Sequence, residues 1–438
     1  MKLSSLAAGW RGSPKMSERN ENRPGYKKVR LGWIPKDWEY VQAKEISTLC
    51  AGGTPSTSNN QYWGGDILWM RSGDLNLRRI SDVEGRITQK GLDYSSATLV
   101  PKHSVLIGLA GQGKTRGTVA VNEVILSTNQ SVAAIIPFAT KAYYLYLYYD
   151  LFHRYQEVRR LSTGDGGRGG LNLSILGNLY FKLPPLPEQC KIAEILGTWD
   201  RAIELVEKQI EAKQRLKKGL MQQLLTGKKR FPGFDDRWRA VSLKRVAKLL
   251  VSNVDKKSSK DEVPVVLCNY MDVYENEYIT NTINFMPATA SSAEFKKFAL
   301  QVGDVILTKD SETREDIAST TVVTEIVNGL LCGYHLAILR PDHKQIDSIF
   351  LAKLLSHGRA HHHFVAHANG ATRFGLTISA IENAKIKLPS LNEQKKIAEV
   401  FFTLDKEIEM LSGKIDILRR QKQGLMQKLL TGEVRVRI

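Results

Sequence analysis

The amino-acid sequence predicts a mixed α/β (α+β) fold with an internal repeat: two similar globular domains separated by two long antiparallel coiled-coil helices, related by a pseudo-twofold axis. Three observations support this prediction. A segment of 45 residues occurs twice, at a constant offset of 205 residues. Both copies show the apolar spacing of a coiled coil. Each copy follows a region of about 150 residues in which short β-rich runs and helical stretches are mixed.

The length of 438 residues allows two or three domains, each with its own core. Met16 is a second possible start, within a polar and basic N-terminal stretch that we expect to be disordered, with order beginning near Val29. The predicted divisions are the N-terminal segment 1–28, a first domain 29–185, a central helix 186–228, a second domain 229–387, and a C-terminal helix with its tail 388–438.

Charge is the first clue to function. The chain has 63 Lys and Arg against 45 Asp and Glu, a net charge of +18. Such a field attracts polyanions, so nucleic acid is the leading partner, although a basic protein without that partner has the same composition. No run of 18 apolar residues is present, which argues against a membrane span. Four cysteines without a CxxC pair argue against a disulfide framework or a cysteine-rich zinc site and favour the reducing cytoplasm.

The repeated segment is the strongest feature of the sequence. Residues 183–227 and 388–432 align without a gap, and 24 of the 45 positions are identical, which chance does not produce. Weaker matches continue upstream, where Trp38 near the start of the first domain parallels Trp238 near the start of the second. The chain is therefore two copies of one layout, and the larger regions have diverged more than the helical segments.

Each repeated segment is predicted to be one long helix that ends at a Thr-Gly pair, where Gly suits the left-handed cap. Apolar residues recur at alternating steps of three and four, the heptad pattern of a coiled-coil seam. A helix of about 40 residues makes a rod of about 60 Å. Antiparallel pairing of the two helices is the simplest arrangement, and packing of each helix on its own domain is the alternative. The predicted seam residues are Ile192, Leu196, Trp199, Ile203, Val206 and Ile210 in the first helix, and Ile397, Phe401, Leu404, Ile408, Leu411 and Ile415 in the second.

The two larger regions carry strand and helix signals. A tyrosine-rich helical stretch at 141–160 is expected mainly to pack a core, with a base-stacking platform as the alternative. Strands are predicted at 104–107, 118–121 and 132–136 in the first region, and at 263–267, 305–307, 320–324 and 336–339 in the second, where a further helix is predicted at 349–356.

Residues 108–115 satisfy the Walker A pattern of nucleotide-binding proteins. A true phosphate-binding loop leads into a helix, whereas Gly117 and a predicted strand follow Thr115 here, which argues against nucleotide binding. The loop is still suited to approach phosphate, because glycine backbone permits close contact and Lys114 and Arg116 supply positive charge.

Other polar motifs indicate no catalytic centre. The glycine-rich loop 161–170 carries one cation, Arg168, and is interpreted either as a DNA contact or as a plain mobile loop. A histidine cluster includes His363 and His367, four residues apart, but no nearby carboxylate or cysteine completes a metal site. We find no element for amino methylation of a base, no carboxylate–lysine nuclease core and no nucleophile–His–acid set.

Taken together and in order, several short motifs resemble the DNA-specificity (S) subunit of Type I restriction–modification systems, from about Val29 to the end of the chain. Each fragment is modest alone, and the combination with two helical repeats is specific. The motifs are Gly52-Gly53-Thr54-Pro55, Asp66-Ile67-Leu68-Trp69 with Gly73-Asp74, Thr128-Asn129-Gln130, Gly170-Leu171-Asn172 and the Leu-Pro-Pro-Leu-Pro-Glu-Gln helix opening in the first half, and 269–274, 333–335 and 373–376 in the second.

This resemblance implies a DNA-binding protein without catalytic activity of its own. Two target recognition domains would each read one half of a bipartite sequence in double-stranded DNA, and the helices would set the gap between the halves. The helices would also dock two methyltransferase (M) subunits, and restriction/translocase (R) subunits would then join. S-adenosylmethionine, ATP and Mg are expected on those partners and no cofactor or metal on this chain, which would act in the cytoplasm and not at a membrane.

Candidate DNA contacts follow from side-chain chemistry, because Lys and Arg hold phosphates while Asn, Gln, Arg and Lys pair with base edges. Two other functions stay open at this point: a nucleotide-binding enzyme with a P-loop at 108–115, and a non-specific DNA-binding coiled-coil scaffold. The predicted contacts are Lys114, Arg116, Asn129, Gln130 and Arg168 in the first domain, and Asn269, Tyr270, Lys309, Arg314 and Arg373 in the second.

Overall fold

The computed structural model describes residues 20–111, 113–162 and 170–438. The chain divides into two compact units, one formed by residues up to Leu205 together with Ile415–Ile438, the other by Val206–Lys414. Each unit holds one globular domain and part of both long helices. Within the described ranges, no helix combines the length and the apolar character needed to cross a membrane.

The first domain is a mixture of strands and short helices, with 3-10 turns at Asn60–Tyr62 and Ser72–Leu77. The strands are β1 (Tyr26–Val29), β2 (Gly32–Pro35), β3 (Glu39–Gln42), β4 (Ser47–Ala51), β5 (Trp63–Met70), β6 (Arg79–Ile80), β7 (Arg86–Ile87), β8 (Leu99–Val100), β9 (Val105–Gly108), β10 (Val119–Asn122), β11 (Leu126–Thr128), β12 (Val132–Pro137) and β13 (Tyr180–Leu183), and the helices are α1 (Ala43–Ile46), α2 (Gln89–Asp93), α3 (Tyr144–His153), α4 (Tyr155–Arg160) and α5 (Leu173–Gly177).

Two larger sheets build this domain, beside the two-stranded pairs β1-β2 and β13-β3. One has the strand order β4-β12-β9-β10-β6 and the other β7-β5-β11-β8. The apolar strand β9 is buried along its whole length, as expected for a run at the centre of a sheet that is covered on both faces. Tyr146 and Tyr149 of α3 are buried in the same core as Val105 and Ile107. The tyrosine-rich helix therefore packs the core, as the sequence favoured.

The second domain follows the long helix α6 (Leu186–Leu224) and leads into the long helix α12 (Leu391–Leu429), with a 3-10 turn at Leu243–Arg245. Its strands are β14 (Arg239–Ser242), β15 (Ala247–Val251), β16 (Val263–Cys268), β17 (Tyr278–Ile279), β18 (Met286–Ala290), β19 (Val305–Thr308), β20 (Asp310–Ser311), β21 (Thr320–Val323), β22 (Leu330–Cys332), β23 (Leu336–Pro341), β24 (Phe374–Gly375) and β25 (Lys385–Leu388), and its helices are α7 (Tyr270–Glu275), α8 (Ser292–Phe298), α9 (Ser348–Leu355), α10 (Gly358–His367) and α11 (Ile378–Glu382).

The sheets of the second domain repeat those of the first. The five-stranded sheet has the order β15-β23-β19-β21-β17, and the second sheet has the order β18-β16-β22. These orders match those of the first domain, with β15 in the place of β4 and β16 in the place of β5, except that the second sheet of the first domain has β8 as an additional strand. The predicted mixed α/β fold with an internal repeat is confirmed, and the repeat extends through the domains, where the sequence match is weak.

The long helices pair antiparallel in each unit. Both span 39 residues, a length of about 58 Å at 1.5 Å per residue. In the second unit, Lys213 of α6 lies 2.6 Å from Glu407 of α12, and Lys217 lies 2.5 Å from Asp405, so residue numbers rise on one helix as they fall on the other. After the helices, Gly227 and Gly432 both adopt a φ of +70°, the left-handed conformation that the Thr-Gly ending predicts.

The predicted seam residues are unequally buried. Trp199, Ile210, Ile408 and Leu411 keep part of their surface exposed. The remaining seam positions are at most 8% exposed, namely Ile192, Leu196, Ile203, Val206, Ile397, Phe401, Leu404 and Ile415.

Buried charges explain the Glu-Gln pair of the repeated helix opening. Glu188 is fully buried and receives Arg435 at 2.7 Å, and Glu393 is fully buried and receives Arg230 at 2.7 Å. The two glutamates are equivalent in the repeat, and so are the two arginines, so each arginine that follows one helix pairs with the glutamate that opens the other. The same pairing therefore occurs once within each unit.

The adjacent glutamines attach the helices to their domains. Gln189 accepts a hydrogen bond from the amide of Tyr143 at 2.8 Å, and Gln394 accepts one from the amide of Asp347 at 3.0 Å. Both glutamines also donate to the carbonyl five residues earlier in the chain. These buried amides are satisfied only when helix and domain meet in one orientation.

Two local details differ from the sequence predictions. Strand β1 begins at Tyr26 and pairs with β2, three residues before the predicted start of order. The helical stretch predicted at 141–160 is two helices, because the chain breaks at Arg154 between α3 and α4. Arg154 is nearly buried there and binds Asp150 and Glu157, both at 2.9 Å.

Candidate nucleic-acid interface

In the second domain, two parallel strands end side by side. Cys268 at the end of β16 lies opposite Cys332 at the end of β22. Asn269 and Gly333 follow directly and lie close together, since the Gly333 amide donates to the Cys268 carbonyl at 2.9 Å. A Cβ on Gly333 would come within 2.8 Å of that carbonyl oxygen, which explains the glycine. Loops at the carboxyl ends of strands are free of ladder pairing and suit ligand contact.

Polar and aromatic side chains gather at this edge. The Asn269 amide donates to Asp272 at 2.7 Å in a capping box that starts α7. One turn of α7 then stacks Tyr270 on Tyr274, with ring centroids 5.8 Å apart. Tyr274 is 45% exposed, so an aromatic surface borders the asparagine.

A second cluster of side chains at this edge is centred on Asp310. This carboxylate lies 2.6 Å from His335 Nδ1 and 3.0 Å from Lys309 Nζ. Strand β20, which contains Asp310, pairs with β24, which contains Phe374, and the exposed Arg314 stacks over Phe374 at 5.2 Å. The structure thus brings Lys309, Arg314 and the exposed Arg373, which precedes Phe374, to the segments around Asp310, His335 and Asn269.

The first domain has the same edge with other side chains. Met70 at the end of β5 lies opposite Thr128 at the end of β11, and Arg71 and Asn129 follow. The Arg71 amide donates to Asp74 at 2.8 Å, which repeats the capping box of Asn269. Arg71 is exposed and occupies the position of Asn269, and Asn129 occupies that of Gly333.

The Gly-Gly-Thr motif supports this first edge. A Cβ on Gly52 would overlap Thr128 Oγ1, so only glycine lets the two segments touch. Trp69 donates its indole N–H to the Gly53 carbonyl at 2.9 Å, and the Thr54 hydroxyl donates to the exposed Gln130. Sequence motifs that are far apart in the chain therefore meet beside Asn129 and Gln130.

Three segments converge at an equivalent point of each domain. In the first, the Leu109 amide donates to the Ser131 carbonyl at 2.8 Å, and the Leu109 carbonyl accepts from the Leu171 amide at 2.8 Å. In the second, Lys309 makes the same two bonds with His335 and Leu376 at 3.0 and 2.9 Å. The loop that begins at Leu109 is thereby joined to the edge that carries Asn129.

That loop carries Lys114, which is exposed, and Arg116, which is half-buried. The Lys114 carbonyl accepts a hydrogen bond from the Tyr155 hydroxyl at 2.9 Å, so the backbone is anchored while the side chain faces solvent. Arg168 lies outside the described residues.

The Walker A pattern does not form a nucleotide-binding loop. The pattern begins at the end of β9, and β9 pairs antiparallel with β10, the next strand of the chain, with Ile107 opposite Val119. A phosphate-binding loop needs a helix at this point, whose N-terminus would hold the phosphates. The nucleotide-binding alternative therefore loses its structural basis.

The remaining reactive groups of the described chain form no further centre. No group of three His, Cys, Asp or Glu side chains placed to hold a metal occurs in the ranges that the structure covers. His363 is engaged with the Ala380 carbonyl at 2.9 Å. Burial raises the pKa of the Cys268 and Cys332 thiols, which keeps both neutral at physiological pH.

Arg71 is an edge residue that was not predicted from the sequence. A signal is nevertheless present, because Arg71 and Asn269 each directly follow a strand with apolar residues and each precede an aspartate by three residues. Arg71 and Asn269 differ in residue type, and they are not separated by the constant offset of the helical repeat. Their equivalence is recognised only when β5 and β16 are known to be equivalent strands.

Comparison with known proteins agrees with this geometry. A family model for the Type I restriction modification DNA specificity domain matches residues 35–214 and again 235–420. The type I restriction enzyme MjaVIII specificity subunit of Methanocaldococcus jannaschii is 26% identical over 415 residues, covering 92% of this chain and 94% of that protein.

Solved structures share the fold. The S subunit of a Type I restriction-modification system from M. genitalium has a TM-score of 0.59 at 15% identity, over 90% of this chain and 96% of that one. A chain from a structure on complex assembly and conformational transition of the type I R-M system has a TM-score of 0.52 at 16% identity, over 92% and 99% of the two chains.

Proposed function

Because this chain belongs to the Type I restriction modification DNA specificity family and is a non-catalytic DNA sequence-specificity subunit, we propose that its two edges divide the reading of one bipartite target. The edge at Arg71, Asn129 and Gln130 reads one half, and the edge at Asn269 and Tyr270 reads the other. The observation that carries this proposal is the pair of equivalent strand ends that present different side chains. Two domains that share a backbone but carry different side chains at this edge suit two different half-sites.

The chemistry of the edges fits duplex DNA. Arg pairs bidentately with guanine, and Asn and Gln pair with adenine in the major groove, so Arg71 and Asn269 favour different bases. Lys114 in the first domain and Lys309, Arg314 and Arg373 in the second supply phosphate contacts, which position the duplex without reading it.

We propose that the paired helices set the gap between the half-sites and dock two methyltransferase subunits. Leu205 on α6 and Met410 on α12 support the number two, because they are equivalent in the repeat and are 62% and 67% exposed. Large apolar side chains exposed at equivalent places of a repeat suit two copies of one partner.

In this proposal the chemistry resides on the partners. The methyltransferase subunits bind S-adenosylmethionine, and the restriction/translocase subunits, which use ATP and Mg, join to form the nuclease. The assembly acts in the cytoplasm, where its DNA substrate is found.

The test is to map methylated adenines in cells that express the methyltransferase subunits with and without this chain. We expect a bipartite motif with a fixed gap that disappears without the chain. Exchange of the edge residues of one domain should change one half of the motif only. A single continuous motif, or methylation that persists without the chain, would contradict the proposal.

Docking has its own test. Leu205→Asp and Met410→Asp should each remove one methyltransferase subunit from the purified complex, measured by its mass in solution. Leu216→Asp is a matched control, because Leu216 is 52% exposed on the same helix but its repeat equivalent is Gln421. Retention of both subunits in the two variants would place the docking surface elsewhere.

A further inference from the structure

A carboxylate on each long helix joins three parts of its unit. In the first unit, Asp200 of α6 accepts a hydrogen bond from the Tyr149 hydroxyl of α3 at 2.7 Å. Its other oxygen lies 2.5 Å from Lys422 Nζ of α12, and that ammonium is 5.1 Å from the centre of the Tyr149 ring. Asp200 therefore links the globular domain to both helices. We name this cluster of Asp200, Tyr149 and Lys422 the joint of the first unit.

The second unit has the equivalent joint. Asp405 of α12, the repeat equivalent of Asp200, is 6% exposed and accepts from the Tyr278 hydroxyl at 2.8 Å. It also lies 2.5 Å from Lys217 of α6 and 2.7 Å from Lys353 of α9. Glu277 receives both lysines as well, with Lys217 at 2.6 Å.

The tyrosines at the two joints come from positions that are not equivalent. Tyr149 and Lys353 are equivalent, because each lies six residues after the amide that binds the helix glutamine, Tyr143 and Asp347 respectively. Tyr278 of β17 lies opposite Val322, and in the first domain Arg79 of β6 lies opposite Val121 on the equivalent strand. The tyrosine that binds each aspartate therefore comes from a different position of the domain fold, and Arg79, at the position of Tyr278, pairs with Glu123 at 3.0 Å.

The change of position indicates that the joint itself is required. In both units the aspartate pairs with the equivalent helix lysine and accepts from a tyrosine hydroxyl, while the tyrosine comes from a different element of the domain. The Asp–Tyr hydrogen bond is also intolerant of movement: one base pair is a step of about 3.4 Å along the duplex, and a bond of 2.7 Å lengthened by that amount no longer exists.

We propose that Asp200 with Tyr149, and Asp405 with Tyr278, are positioning residues that hold each recognition domain at one angle on the helix pair and so restrict the gap between half-sites. This inference rests on the proposed function, since it concerns the same bipartite target. It assigns gap selectivity to the joints and leaves base selectivity to the edges.

The experiment is the same adenine map, made for the complex with Tyr149→Phe and with Tyr278→Phe. Each change removes one hydroxyl from a joint. We expect unchanged bases in both half-sites and about tenfold more methylation at sites whose gap is one base pair longer or shorter, which corresponds to about 1.4 kcal/mol of lost discrimination. The control is Tyr146→Phe, because that hydroxyl is buried in the same helix but donates to the Lys182 carbonyl inside the domain, at 2.6 Å.

The outcomes separate the two proposals. Absence of a bipartite motif with the unaltered chain overturns the proposed function. A normal motif whose gap stays fixed in both variants overturns the joint, as does a variant that changes the bases read or a control that relaxes the gap equally. If a Phe variant does not accumulate as a folded protein by its melting temperature, Asp200→Asn tests the first joint with the side-chain volume preserved, and the same criteria apply.

Discussion

The reading edges and the helix joints respond differently to duplication. At the joints and helix openings, the two copies keep equivalent charge pairs, such as Glu188 with Arg435 and Glu393 with Arg230. At the edges the backbone is kept and the side chains differ, with Arg71 in the place of Asn269. A buried charge pair must fit a partner inside the protein, whereas the side chains of an edge contact an external partner and are free to change. The difference indicates that the joints and helix openings have a structural role and that the edges have a recognition role.

The largest expected effect is on folding stability, because the aspartates of the two joints differ in burial. Asp405→Ala leaves Lys217 and the nearly buried Lys353 with Glu277 as their remaining acid, and breaking such buried pairs costs about 3–5 kcal/mol. Asp200 holds one lysine and its side chain is 27% exposed, so Asp200→Ala should cost about 1–3 kcal/mol. Urea denaturation of the full chain measures both, and equal losses would show that the joints are energetically alike.

A second comparison concerns the edges. Arg71→Ala and Asn269→Ala should each relax base preference at one position, in different half-sites, by about 1–3 kcal/mol. Binding of the complex to duplexes with single base changes measures this effect. If either variant weakens binding equally on every sequence, the residue contacts phosphate and the edge reads through other side chains.

The glycines after the helices should differ more modestly. Both have a φ of +70°, where an alanine costs about 1–2 kcal/mol. A Cβ on Gly432 would also lie 2.5 Å from Pro35 Cδ, compared with 3.3 Å from Trp238 Cε2 for Gly227. Gly432→Ala should therefore lower the melting temperature more than Gly227→Ala, and the reverse order would contradict the packing described around Pro35.

The smallest difference between the two units is expected in how their stability depends on acidic pH. Burial acts to raise the pKa of Glu277, but Lys353 and Lys217 outweigh it and lower this pKa to about 2. Because the folded value is below the unfolded value of about 4.3, this stabilisation is present above that pH and is lost as pH falls toward 2. The equivalent residue in the first unit is Arg78, and an arginine keeps its charge in acid.

Glu277→Gln should accordingly flatten the dependence of stability on pH in this acid range. Denaturation measured at intervals from neutral pH downward would show it. An unchanged slope would mean that other carboxylates account for the acid sensitivity of the second unit.

Much of the frame could be predicted from the sequence, because helical repeats and apolar strands leave local periodic signals. The buried run of β9 and the Thr-Gly endings are examples. The convergence of Asn269, Lys309 and Arg373 was anticipated only as a set of residue types. The place of Asn269 depends on the parallel pairing of β16 with β22, two strands between which the chain forms all of β17 to β21, and that of Arg373 depends on the pairing of β20 with β24.

The joints illustrate what local patterns omit. In the sequence, Lys217 and Lys422 are polar residues that interrupt the apolar spacing of the two helices. Their partners, Asp405 and Asp200, lie on the opposite helix at sequence separations that no periodicity reveals. Arg71 was missed for a similar reason, since an exposed arginine after a strand has no signal until its structural equivalent is known.

Residues that follow α12 bind back to the first domain. Arg435 reaches Asp37 and Glu188, each at 2.7 Å, and the Tyr26 hydroxyl donates to the Gly432 carbonyl. During synthesis, the domain that leaves the ribosome first is thus completed after the second one, since its unit includes residues from Ile415 onward. A nascent chain interrupted just after Lys414 would carry all of the second unit and an incomplete first one, which favours delayed assembly over early engagement of DNA.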